Sequence, residues 1–268
     1  MKIKPTIWRR GALASNHEIP LTVNLTRYYI QMETDKTVLI MGASSGIGAG
    51  LASYYLGSGF KVIACARRAE QISRNLPRAI GFPLDVNDFD QLEDTLNEIV
   101  RSTVRIDLIV NCIGIGELNP SLDSSLDASM IETNVKSFTL LSNWAYNLLK
   151  KQGHGHYAAI SSIAGLRGGK DSLVYNASKA FQINYLEGLQ HKATKESKSI
   201  FISDIRPGLV DTAMAKGEGL FWVMPVEKVV KQIAHGIHQK KRVITVTKRW
   251  RGLAWLLCLV PKWIYFRL

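Results

Sequence analysis

The chain reads as an α/β protein built on a doubly wound, parallel sheet of about seven strands. Three observations predict this. Short apolar, β-branched runs alternate with segments of helical periodicity along most of the 268 residues, and that alternation calls for parallel strands joined by right-handed crossovers. The first apolar run leads directly into a glycine-rich turn and then a helical pattern. Glycine and polar residues recur just after later runs, where such a sheet binds ligands.

Residues 1–35 carry no sustained period, no uninterrupted apolar stretch and no small-residue cleavage site, so they read as an N-terminal arm and not a secretory signal. Lys36–Met41 (KTVLIM) is the first buried strand. It enters Gly42-Ala43-Ser44-Ser45-Gly46-Ile47-Gly48, and a helical pattern follows through Leu51, Tyr55 and Leu56. Glycines let a backbone approach a pyrophosphate, and free N–H groups at a helix N-terminus meet its charge. The spacing is G-x-x-x-G-x-G, in the strand–turn–helix context that a dinucleotide cradle needs.

Lys61–Ala66 (KVIACA) is the second strand and ends at Arg67-Arg68. An acidic residue about twenty positions after the glycine turn suits an NAD ribose. Two guanidinium groups suit a 2′-phosphate, which predicts NADP in preference to NAD. Ile80–Leu84 is a third strand, ending at Asp85-Val86, and Phe89–Val100 is helical. Asp107–Cys112 is a fourth strand running into Asn111-Cys112-Ile113-Gly114. A long helix from about Ala128 to Lys151 contains Asn134. His156–Ser161 is the fifth strand, and a helix runs from Tyr175 to about Thr194. Ser199–Ile205 is the sixth strand, followed by Arg206-Pro207-Gly208-Leu209-Val210-Asp211-Thr212. Pro225–Gln239 is helical and Arg242–Val246 is a seventh strand.

Chemistry concentrates between Ser162 and Lys179. Tyr175 and Lys179 stand at i and i+4, on one helix face. A cation beside a phenol favours the phenolate and lowers its pKa toward the range of a general acid or base. Ser162 can hydrogen-bond an oxygen that gains charge during reaction. His154 and His156 flank a glycine with no carboxylate or cysteine nearby, so they read as a loop and no metal is expected.

Apolar content of 46 % and charged content of 21 % describe a globular protein, not a disordered one. Cys65, Cys112 and Cys258 are odd in number and far apart, as for free thiols in a reducing, cytoplasmic setting. The net charge of +12 is uneven: ten basic residues and no acidic residue follow Glu227.

Taken together, GASSGIG at 42–48, NCIG at 111–114, Asn134, Ser162, YNASK at 175–179 and RPG at 206–208 closely resemble the short-chain dehydrogenase/reductase family, over about Lys36 to Val246. The resemblance implies a Rossmann-type fold, with residues 36–247 as one dinucleotide-binding and catalytic domain. It implies that Tyr175 is the general acid/base between a carbonyl and a secondary or primary alcohol, and that Ser162 holds the reacting oxygen. Lys179 would bind the nicotinamide ribose and depress the pKa of Tyr175. Asn134 would anchor a water that relays protons to Lys179. Gly42, Ser44, Ser45, Gly46, Ile47 and Gly48 would line the pyrophosphate and ribose. Asp85 and Val86 would face the adenine, Asn111, Cys112 and Gly114 would back the cofactor, and Pro207, Gly208, Val210 and Thr212 would close over the nicotinamide. Two departures stand out: Met41 replaces a threonine and Ile113 a small residue. The family habit is a homodimer or homotetramer through the helices near 128–151 and 175–194. A competing reading is an NADP-binding sensor or scaffold with little turnover, which has no need of all four of Asn134, Ser162, Tyr175 and Lys179.

Residues 248–268 (KRWRGLAWLLCLVPKWIYFRL) form an amphipathic tail beyond that core. Its apolar run, Leu253–Val260, is too short to span a bilayer. Its tryptophans and cations fit a peripheral anchor on anionic lipid at the inner membrane face, and so a lipophilic substrate. The alternatives are a tail packed on its own domain or a partner subunit. No nucleic-acid module accompanies the charge, so nucleic acid is not an expected partner. Phe221–Met224 stands where the family places its substrate lid.

Overall fold

A computed structural model describes residues 36–214 and 222–267. The expected arm, 1–35, and Phe221 of the expected lid lie outside the described residues, as does the side chain of Trp255.

Seven strands form one parallel sheet in the order β3-β2-β1-β4-β5-β6-β7. These are β1 (Thr37–Met41), β2 (Lys61–Ala66), β3 (Ile80–Pro83), β4 (Leu108–Asn111), β5 (Gly155–Ile160), β6 (Ile200–Pro207) and β7 (Val243–Val246). The helices in chain order are α1 (Gly46–Gly57), α2 (Ala69–Asn75), α3 (Phe89–Arg101), α4 (Ser124–Ile131), α5 (Phe138–Gln152), α6 (Leu173–Glu196), α7 (Val226–His238), α8 (Lys248–Leu259) and α9 (Lys262–Tyr265).

The central strands are apolar on both faces because helices cover both. Alternate residues of β1 divide between two cores. Leu39 and Met41 face α3, α5 and α6, through Leu92, Leu141 and Leu186, among others. Val38 and Ile40 face α1, α2 and α7, through Leu51, Ile72 and Ile233. Side chains of period two on a strand can do nothing else. The chain leaves β3 and returns to β4, on the other side of β1. Strand order reverses there, and the crevice beyond the carboxyl ends of β1 and β4 opens at that switch point.

Several boundaries differ from those expected. The helix expected from about 128 begins at Ser124, because the Asp123 carboxylate accepts from Ser125 N at 2.8 Å and caps it. A π-helical turn, Glu132–Ser137, joins α4 to α5, and hydrophobic spacing cannot reveal the one-residue insertion that such a turn represents. β6 continues through Pro207, pairing Pro207 with Val246. α2 is too short to show a period and was not expected.

Candidate active site

The glycine turn is built by close approach. A Cβ on Gly48 would stand 2.1 Å from the Gly42 carbonyl oxygen, and Gly42 itself has φ of +83°. Only glycine lets the chain double back this tightly from β1 into α1. Ser45, the residue before α1, makes no side-chain cap, and the first turn holds no acidic residue. The N–H groups there are left to face an anion, which is the donor set a pyrophosphate needs.

A cavity of about 710 Å³ opens at this turn and runs across the carboxyl edge of the sheet. Gly42, Ser44, Ser45, Gly46, Ile47 and Gly48 form one end, with Arg67, Asp85 and Val86 beside them. Cys112, Gly114, Ser162, Tyr175 and Lys179 line the same cavity. Pro207, Gly208, Val210 and Thr212 line it as well. A Cβ on Gly46 would stand 3.1 Å from Thr212 Cγ2, so the β6 loop closes directly onto the glycine turn. Arg68 lines an adjoining hollow with Ser44 and Arg67.

Two expected residues lie behind the wall. Asn111 is buried, where its Oδ1 accepts from Ile113 N at 3.0 Å and its Nδ2 donates to the Tyr157 hydroxyl at 3.4 Å. It shapes the turn after β4. Asn134 is completely buried in the π-helical turn. Its Oδ1 accepts from Ile115 N at 2.9 Å and its Nδ2 donates to Ile115 O at 2.7 Å, fixing the same turn from the other side.

Tyr175 stands in the first turn of α6, and its ring packs on a glycine absent from the expected set: a Cβ on Gly116 would come within 2.8 Å of Tyr175 Cε2. Burial raises the phenol above its ordinary value, and a hydrogen bond with Ser162 opposes this. The lowering expected of Tyr175 is therefore absent. The ammonium of Lys179 lies 5.8 Å from the ring centroid, and burial is the largest influence on the phenol. Lys179, 3 % exposed, is itself pushed down to about 8 by burial, while the carboxylate of Asp204 pulls it up. Asp204, on β6, is held by Arg206 Nε at 2.6 Å and by the Ser161 hydroxyl.

The tail packs on its own domain, against this cavity. Trp250 of α8, 4 % exposed, joins Ala254, Ile163, Leu166 and Leu209 in a small apolar cluster. A Cβ on Gly208 would stand 2.3 Å from the indole, so glycine there admits the ring. Arg167 Nε donates to the Leu257 carbonyl at 2.7 Å and its guanidinium also reaches the Val260 carbonyl, capping the C-terminal end of α8. The Tyr265 hydroxyl donates to Gly168 O at 2.7 Å. Trp250, Leu257, Tyr265 and Arg167 thus line the cavity. Composition marked the tail as unusual; nothing in it marked a partner only long-range packing supplies.

The short chain dehydrogenase family matches residues 36–220. The chain belongs to that family. As a short-chain dehydrogenase it is an oxidoreductase. It is similar to an uncharacterised oxidoreductase of Staphylococcus aureus strain USA300, 28 % identical over an alignment of 190 residues that covers 68 % of this chain and 80 % of that one. Among solved structures it resembles a short-chain dehydrogenase from Burkholderia cenocepacia in complex with NADP (TM-score 0.77, 21 % identity, covering 88 % of this chain and 99 % of that one). It also resembles a short-chain dehydrogenase/reductase from Burkholderia phymatum in complex with NAD (TM-score 0.75, 18 % identity, covering 84 % and 93 %). These likenesses support the fold.

The packing of the tail is testable. Trp250→Ala removes an anchor worth on the order of 3 kcal/mol, so tryptic cleavage within 248–267 should accelerate roughly tenfold or more while the rest of the chain stays resistant. An unchanged cleavage rate would contradict the docking of α8.

Proposed function

We propose that this short-chain dehydrogenase interconverts a carbonyl and a secondary or primary alcohol on a lipophilic small molecule, with NADP(H) preferred and NAD possible. The observation that carries the reading is the meeting of Ser162, Tyr175 and Lys179 with the glycine cradle in one cavity. A bound nicotinamide cofactor supplies or accepts the hydride. Everything else falls to the protein. Ser162 donates a hydrogen bond to the reacting oxygen, and the Tyr175 hydroxyl gives that oxygen its proton or takes one from the alcohol. The Lys179 ammonium stabilises the phenolate left behind. A phenol kept above its ordinary pKa is protonated at neutral pH, the form that carbonyl reduction requires.

NADP preference rests on Arg67 and Arg68. Both are exposed at the end of β2, and Arg67 lines the cavity as well as the adjoining hollow. A lipophilic substrate suits the apolar lining to which Ile163, Leu209, Met214, Trp250, Leu257 and Tyr265 contribute. With NADPH and a panel of apolar ketones and aldehydes, Tyr175→Phe should lower kcat by roughly 100-fold or more. Arg67→Asp should shift the NADPH-over-NADH preference by about tenfold toward NADH. Undiminished turnover in the first variant would overturn the proton-transfer role, and an unchanged preference in the second would overturn the 2′-phosphate contact.

The outer side of the tail supports a peripheral contact with anionic membrane. Trp263 is 64 % and Phe266 77 % exposed, with Arg249, Arg251, Lys262 and Arg267 exposed nearby in sequence. Among the described residues no helix is long and apolar enough to cross a bilayer. The full chain should sediment with phosphatidylserine-containing vesicles at low salt and be released by high salt; failure to sediment at low salt would end this reading.

A further inference from the structure

Lys179 is held by more than the helix that carries it. Its ammonium donates to Ile160 O at 3.3 Å and to Gln182 Oε1 at 2.9 Å. Gln182 lies three residues further along α6 and is completely buried. Its Nε2 donates to the backbone carbonyl of Asn134 at 2.8 Å. The polarity is self-consistent: the amide oxygen accepts from a cation and the amide nitrogen donates to a carbonyl, so a flipped carboxamide would place two donors face to face. One side chain thus ties the ammonium to the π-helical turn. The site leaves little room around it, since a Cβ on Gly114 would stand 3.1 Å from Lys179 Nζ and 3.3 Å from Asn134 Oδ1.

We propose that Gln182 is a positioning residue, a direct side-chain bridge from Lys179 to the Asn134 carbonyl in the place where a relay water was expected. A neutral carboxamide neither gains nor loses a proton near neutral pH, so the bridge holds the Lys179 side chain in place and passes no proton to it on this side. Protons then reach Tyr175 from the cavity. An ammonium has three donors; two are spent on Ile160 and Gln182, and one is left for a ligand hydroxyl. The inference rests on Lys179 being the partner of Tyr175.

The other groups facing Lys179 are accounted for. Tyr175 comes from its own helix. Asp204 comes from β6 and is shared with Arg206 and Ser161. The turn after β4 contributes Gly114, and the Cys112 thiol beside it stays neutral, burial pushing it up to about 12.

Titration of the Lys179 side chain by 13Cε NMR, assigned with Lys179→Met, tests this without turnover. Gln182→Glu, nearly isosteric but anionic, should raise the Lys179 midpoint by about one unit or more. Gln182→Leu, which leaves the ammonium one acceptor short, should lower it by a similar amount. Midpoints equal to the wild type in the folded variants would overturn the bridge, whatever their melting temperatures. If the midpoints move as stated while no carbonyl is reduced, Gln182 keeps its role and the functional reading fails. If turnover is intact and the midpoints stay fixed, the bridge fails and the functional reading stands.

Discussion

A buried ammonium constrains this molecule more than any other group. Taking the charge of Lys179 out of water costs several kcal/mol unless donors find acceptors and an opposite charge lies near. The fold supplies these from separate elements. Ile160 ends β5, Gln182 stands on α6, Asn134 sits in the π-helical turn, and Asp204 lies on β6. None can shift far without stranding the charge. The π-helical turn is part of the same requirement, because it sets the Asn134 carbonyl against Gln182 and its side chain against Ile115.

The parallel sheet makes that convergence possible. Every strand ends on one edge, so the glycine turn after β1, Arg67 after β2 and Ser162 after β5 share a cavity although more than a hundred residues separate the first from the last. α8 adds the outer wall. Its docking uses an unusual pairing, an indole seated on Gly208 at the end of β6. The tail is therefore both a wall of the site and, through its exposed aromatic residues, the surface proposed to meet lipid.

The fold and most of the site were legible because their signals are local. An apolar β-branched run, a glycine turn and an i, i+4 pair each carry meaning within a few residues, and the strand–helix alternation then sets them on one edge. What was not legible depends on contacts distant in sequence. Gln182 offers only a polar residue in a helix, and its meaning needs the Asn134 carbonyl 48 residues away. Arg167 needs carbonyls 90 and 93 residues away. The upward shift of Tyr175 follows from desolvation, which spacing does not report. Basic and aromatic composition in the tail is compatible with lipid and with packing, and the contacts of Trp250, Arg167 and Tyr265 show that packing occurs.

Tyr175 shares one cavity with the glycine turn, so a bound nicotinamide cofactor should act on its phenol. Titration of the Tyr175 phenol by 13Cζ NMR, with Tyr175→Phe for assignment, addresses it directly. The midpoint should lie above the ordinary phenol value of about 10 in the free protein and fall by about one unit or more on addition of saturating NADP⁺, whose nicotinamide ring is cationic. A midpoint near 10 that does not respond to bound NADP⁺ would contradict the account.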